Sequence, residues 1–187
     1  MTDRTGIEWT DSTWNPVTGC TEVSPGCDHC YAKTLAERFR GTPGHHFERG
    51  FDVVLRPERL DQVLRWTKPR RIFVNSMSDL FHDQVPDWFV AQVFARMALA
   101  PRHTFQLLTK RPGRMRALLT SPDFRSLMLE MATIAANDHR LDAHRTPGSA
   151  DPHDAGRSLA PRPRAPGVRR RGFRRRARAV VQARLPR

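Results

Sequence analysis

The chain has 187 residues and a formal net charge of +13, which suits one domain, or one domain with a tail. Residues 1–138 carry only +2 of that charge and residues 139–187 carry +11, so any argument from net charge toward nucleic acid concerns the tail alone. No apolar run reaches the 18 or so residues that cross a bilayer, and the N-terminus "MTDRTGIEWTD" has no apolar core of a signal peptide. Three cysteines without export signals argue against a disulfide framework and predict a cytoplasmic protein that uses its thiols for metal or redox chemistry.

The expected elements alternate between strand and helix. "TWNPVTGC" reads as a short extended segment, because Pro16 keeps Asn15 out of a helix. "DHCYAKTLAERF" places Tyr31, Leu35 and Phe39 four residues apart, with Ala32 and Ala36 beside them, on one expected helical face. "GTPGHH" breaks the pattern. "FDVVL" reads as a strand, and "PERLDQVLRW" as a helix with Pro57 at its first position and Leu60, Val63 and Leu64 inward.

"RRIFVNSM" is the next strand, through the run Ile72, Phe73 and Val74. "PDWFVAQVFARMALA" is a helix whose stripe of Phe89, Val90, Val93, Phe94 and Met97 marks a core face. "HTFQLLT" is a strand, "RMRALL" a helix, and "SPDFRSLMLEMATIAA" a further helix with Ser121 as N-cap and Pro122 at its first position. This order predicts an α/β domain over residues 1–138, with parallel strands and crossover helices. About four strand–helix units make a partial parallel (β/α) barrel, since a closed one takes roughly 200 residues or more.

Residues 139–187 differ in kind. Arg, Ala, Pro and Gly make up 32 of the 49 residues, with no Lys and no Glu. Such a segment cannot bury a core and is expected to be disordered. One reading is a basic arm for nucleic acid. The favoured reading is an unselected tail, because these four amino acids are those of GC-rich codons read out of frame.

All three cysteines, Cys20, Cys27 and Cys30, fall in "GCTEVSPGCDHCYA" with spacing C-x6-C-x2-C. Thiolates ligate zinc and iron–sulfur clusters. Structural zinc would need a fourth ligand, with His29, His45 and His46 as candidates. A cluster held by three cysteines keeps one iron open. Free thiols are the third reading. The array lies between the first extended segment and the first helix, where active groups of parallel α/β folds collect.

"IEWTDSTWNPVTGCTEVSPGCDHCYA", "RIFVNSMSDLFHDQVPD" and "HTFQLLTKRP" resemble a family of phage and prophage three-cysteine-motif proteins of poorly defined function, placed near the radical S-adenosylmethionine (SAM) enzymes. The resemblance covers roughly residues 6–120. Radical SAM enzymes commonly use C-x3-C-x2-C, so the first gap here is longer. The resemblance implies a [4Fe–4S] cluster on Cys20, Cys27 and Cys30. SAM would chelate the open iron, and one electron would release a 5′-deoxyadenosyl radical that takes hydrogen from an unknown substrate. The electron donor and protein partner are open.

Ser76, Ser78 and Asp79, after one strand, would bind the ribose or amino group of SAM, or would only cap a turn. Thr109, Lys110 and Arg111, after the next strand, would meet the SAM carboxylate or a substrate phosphate, or would be a solvated start of a helix. Trp9 and Trp14 suit packing, and His82 and Asp83 a solvated loop. The alternative function is a zinc-stabilised phage binding module whose basic tail contacts nucleic acid. Because the apolar pattern stops mid-barrel, the chain is expected to be a truncated family member that does not cleave SAM by itself, with a shifted reading frame near residues 127–140.

Overall fold

A computed structural model describes residues 5–145 and the backbone of 178–183, with side chains over 5–138. In chain order the elements are β1 (Ser12–Trp14), β2 (Val17–Thr18), α1 (Tyr31–Glu37), β3 (Val54–Leu55), α2 (Gln62–Arg65), β4 (Arg71–Val74), α3 (Asp87–Leu99), β5 (Thr104–Thr109), α4 (Pro112–Thr120), α5 (Pro122–Arg145) and β6 (Arg178–Ala183). Single 3-10 turns cover Pro25–Cys27 and Pro57–Arg59.

β1, β4 and β5 lie side by side and parallel, with Ser12 opposite Ile72 and Ile72 opposite Phe105. Parallel neighbours need long crossovers, and α1, α2 and α3 lie within them. Alternation along the strands sends Trp14, Ile72, Val74, Phe105 and Leu107 to one face, all buried. The stripe of α3 covers that face: Phe89, Val90, Val93 and Met97 are buried, and Phe94 packs partly buried against the same core. Trp14 and Phe105, both 0% exposed, meet with ring centroids 6.1 Å apart. Each such side chain contributes about 1.5–3 kcal/mol of burial.

The caps of α5 match the sequence reading. Ser121 Oγ accepts the Phe124 amide at 3.3 Å, and Pro122 takes the first position.

Two expectations change. Only Val54 and Leu55 of "FDVVL" form a strand, and they pair antiparallel with Val17 and Thr18 in a separate two-stranded sheet. Its backbone closes over the cysteine loop instead of joining the parallel sheet: Phe51 O accepts the Cys20 amide at 3.1 Å. The result is a mixed α/β fold around a small parallel sheet with three strands from the 5–145 region.

The face of α1 is also turned. Ala32 and Ala36 are buried against Phe47, Phe51 and Met77, whereas Tyr31 and Leu35 are exposed. Close approach to those large side chains requires the small residues inward.

Most of the tail expected to be disordered lies outside the described residues. α5 itself runs to Arg145, and Arg178–Ala183 pairs in parallel with β5, Thr104 opposite Arg178 through Thr109 opposite Ala183. Among the described residues no helix is long and apolar enough to cross a membrane.

Candidate functional site

The cysteine loop is anchored at Gly19. Its φ is +84°, and a Cβ there would fall 2.0 Å from the Asp52 carbonyl oxygen, so only glycine fits. Gly19 N donates to Met77 O at 2.9 Å, and Gly19 bridges in parallel to Ser78. The loop thereby leans on the segment that follows β4. Cys27 closes the 3-10 turn, its amide on Ser24 O at 2.8 Å, and Cys30 sits just before α1 with its amide on Cys27 O at 3.1 Å. The C-x2-C half is thus a tight winding into the helix.

Asp79 organises the far side. It is buried, and its carboxylate accepts Thr109 Oγ1 at 2.8 and 3.0 Å, the Lys110 amide at 3.0 Å and the Phe81 amide at 3.0 Å. Arg111 Nη1 reaches the same carboxylate at 3.4 Å, with both side chains 8% exposed. A buried charge needs such a partner. That nitrogen also lies 3.4 Å from Cys20 Sγ, while Arg111 Nη2 donates to Thr21 O and Oγ1 at 3.1 Å.

Lys110 does the equivalent at the second thiol: its Nζ lies 2.5 Å from Gly26 O and 3.4 Å from Cys27 Sγ. Burial pushes the Cys20 thiol up, opposed by its hydrogen bond from Arg111. Burial acts upward on Cys27 too, but hydrogen bonds from the Val23 and Ser24 backbone and Lys110 bring its thiol below the usual value. A cation beside sulfur favours the thiolate, the form that binds metal.

These groups surround one cavity of about 810 Å³, which Cys20, Cys27, Cys30, Ser76, Ser78, Asp79, Thr109 and Lys110 all line. Residues from three distant stretches of sequence therefore meet. Their engagements differ. Ser78 Oγ donates to Val17 O at 2.8 Å and Ser76 Oγ to Asn15 Oδ1 at 3.1 Å, so each hydroxyl keeps lone pairs to accept with. Thr109 Oγ1 donates to Asp79 and accepts the Arg111 amide at 2.9 Å, which ties it into the frame.

The rest of the wall is largely apolar: Ile7, Trp9, Tyr31, Phe51, Phe73 and Leu108. Trp9 packs on Phe73 at 4.8 Å, in keeping with a packing role, yet remains 41% exposed. Tyr31 donates its hydroxyl to Ser76 O at 2.5 Å.

Sequence reasoning offered Arg111 to the SAM carboxylate or a substrate phosphate, or to a solvated helix start, but not to Asp79 and Cys20, and it gave Asn75 and Tyr31 no role here. No periodicity marks an arginine that folds back onto a carboxylate 32 residues away. His82, expected in a solvated loop, is buried; its Nδ1 accepts the Gln84 amide at 3.1 Å, so Nε2 carries the proton toward Thr21 Oγ1 at 2.7 Å. Of the zinc candidates, His45 stacks on Phe39 and His46 packs at a tilt against Phe47.

Among the described residues no three His, Cys, Asp or Glu side chains gather into a group able to hold a metal ion. The donor chemistry nonetheless fits a thiolate-held cluster: three thiols face one cavity, and a fixed cation stands at the sulfur of two of them.

The family model described as "Protein of unknown function (DUF5131)" matches residues 4–146, well over half of the chain, and the chain belongs to that family. Neither the curated proteins nor the solved structures gave a significant match.

Proposed function

We propose that this DUF5131 chain holds a [4Fe–4S] cluster on Cys20, Cys27 and Cys30 and performs radical-SAM-like chemistry, as the phage and prophage three-cysteine-motif proteins it resembles are placed to do. One observation carries the reading. The three thiols share a single cavity with the segments that follow two adjacent parallel strands, β4 and β5. A single ion draws its ligands to one centre, whereas a four-iron cluster spreads its thiolates over the corners of a cube. Three thiols around a cavity of this size suit the wider group. When bound, the cluster and SAM would supply reductive cleavage of the sulfonium and a radical able to abstract hydrogen.

The chain's own contribution is positioning and charge. Lys110 and Arg111 offset the negative charge of thiolates at Cys27 and Cys20. Asp79 fixes Arg111 and, through Thr109 and the Lys110 amide, the turn that follows β5. The lone pairs of Ser76 and Ser78 suit the amino group or ribose hydroxyls of SAM, and the Lys110 ammonium suits its carboxylate. Thr109 acts through Asp79 and not on the cofactor.

Anaerobic reconstitution with iron and sulfide tests the reading. The expected result is a brown protein with about four irons per chain, and loss of both colour and iron in Cys27→Ala. Stoichiometric zinc with no uptake of iron would overturn it in favour of the zinc-stabilised module.

A further inference from the structure

We propose that His82 is a positioning residue: through Thr21 it holds the Arg111 guanidinium at Cys20, and so sets how readily a cluster on that thiol takes up an electron. The second half of the proposal rests on the cluster reading above, and the first half does not.

The hydrogen bonds of three side chains join into one path. Arg111 has four Nη hydrogens, and four acceptors meet them. Asp79 Oδ2 and Cys20 Sγ each lie 3.4 Å from Nη1, and Thr21 O and Oγ1 each lie 3.1 Å from Nη2. Asp79 grips one end of the guanidinium only, about which the plane can swing. Thr21 grips the other end, and the two together fix it. Thr21 itself belongs to an exposed stretch of the cysteine loop, where a threonine side chain has more than one staggered position open to it. His82 removes that choice, because its Nε2–H donates to Thr21 Oγ1 at 2.7 Å.

His82 is the fixed end of the path. It is 3% exposed, and its Nδ1 accepts the Gln84 amide at 3.1 Å. Its own amide donates to Asp79 O at 3.1 Å, and its carbonyl accepts the Val85 amide at 2.8 Å and the Arg114 guanidinium. Burial first, then Arg111 and Arg114, outweigh Asp83 and Asp79 and hold its pKa below the usual 6.5, so at neutral pH the ring is neutral and keeps this tautomer. For packing alone, leucine would fill the volume without burying polar atoms. The imidazole is explained by what lies beyond the threonine it grips, the cation at Cys20. A fixed cation beside a ligand sulfur favours the more negative, reduced state of a cluster, since charge and hydrogen bonds to the sulfurs set its potential.

Side-chain nitrogen-15 NMR of the metal-free full-length chain tests the positioning. His82 should show a protonated Nε2 and an unprotonated Nδ1, and Arg111 should give separate signals for its fixed Nη hydrogens. Thr21→Val and His82→Leu should merge those signals. Thr21→Ser and His82→Gln, which keep the acceptor and the donor, should retain them. Thr21 is exposed, so Thr21→Val folds and decides the matter where His82→Leu does not. The reduction potential of the reconstituted chain tests the consequence. Thr21→Val and His82→Leu should make reduction about tenfold less favourable, about 59 mV for one electron, at unchanged iron content, and neither should add to the effect of Arg111→Met. A protonated Nδ1, Arg111 signals unaltered in Thr21→Val, potentials equal to wild type, or effects that add fully to Arg111→Met would overturn the proposal. A chain that takes up no iron would overturn the cluster reading and the tuning with it, while the metal-free spectra still decide the positioning.

Discussion

Replacing Asp79 by alanine should be the most costly single change at the site that leaves the thiols in place. It removes the acceptor for Thr109 Oγ1, the Lys110 amide and the Phe81 amide. It also removes the counter-charge of Arg111, whose side chain is 8% exposed. Breaking a buried pair from one side costs about 3–5 kcal/mol. Arg111 would keep Thr21 O and Oγ1 as acceptors at 3.1 Å, which points to the lower end, about 3 kcal/mol. That is a large part of the roughly 5–15 kcal/mol that holds a domain together. Urea unfolding of the metal-free chain reads it as a shift in midpoint with unchanged slope. Asp79→Ala with Arg111→Met removes the stranded charge as well, so the double variant should be more stable than the sum of the singles predicts by about 1–3 kcal/mol. A loss below about 1 kcal/mol in Asp79→Ala, or strict additivity in the double variant, would show that the pair does not hold the site.

Gly19→Ala should destabilise the fold by about 2 kcal/mol or more, because its Cβ would meet the Asp52 carbonyl at 2.0 Å in a left-handed backbone; a melting temperature within a degree of wild type would contradict this. His103 is buried with Nε2 on Val63 O at 3.1 Å, and burial first, then the nearby Arg102 and Arg70, outweigh the backbone bonds to Val63 and Trp66 to hold its pKa below the usual 6.5. Its neutral form is favoured by folding, so that stability is present above about pH 6.5 and is lost as pH falls through the lower folded value. Melting scans at pH 7.5 and 5.0 should show a smaller acid-induced drop in His103→Gln than in wild type. Lys110→Met should slow alkylation of Cys27 by iodoacetamide at neutral pH in the metal-free chain, read by mass spectrometry; an equal rate would show that the 3.4 Å contact does not act on the thiol.

Much of this was legible in the residues. The run Ile72–Val74 and the alternation of "HTFQLL" marked the parallel strands, and the α3 stripe marked the helix that covers them. The cysteine spacing and the polar residues after each strand marked the groups that the fold brings around one cavity. "FDVVL" misled because a short apolar run is compatible with any sheet; only the path of the backbone over Gly19 and Cys20 decides which one it joins. The face of α1 misled because size, not hydrophobicity, decides which side approaches Phe47 and Phe51 closely. A left-handed asparagine and an inward arginine leave no pattern in one sequence, since both arise from contacts made between distant segments.

The distance in sequence between the thiols and their cations has a consequence for synthesis. Cys20 and Arg111 meet across 91 residues. At about 5–20 residues per second, the ribosome delivers the arginine about 5–18 s after the cysteine. Throughout that interval the three thiols are on a nascent chain that lacks β5, and hence lacks the wall that shields them. They are then most open to oxidants and to adventitious metal. Slow synthesis would lengthen the interval, and oxygen during expression would damage the cysteines before folding could cover them.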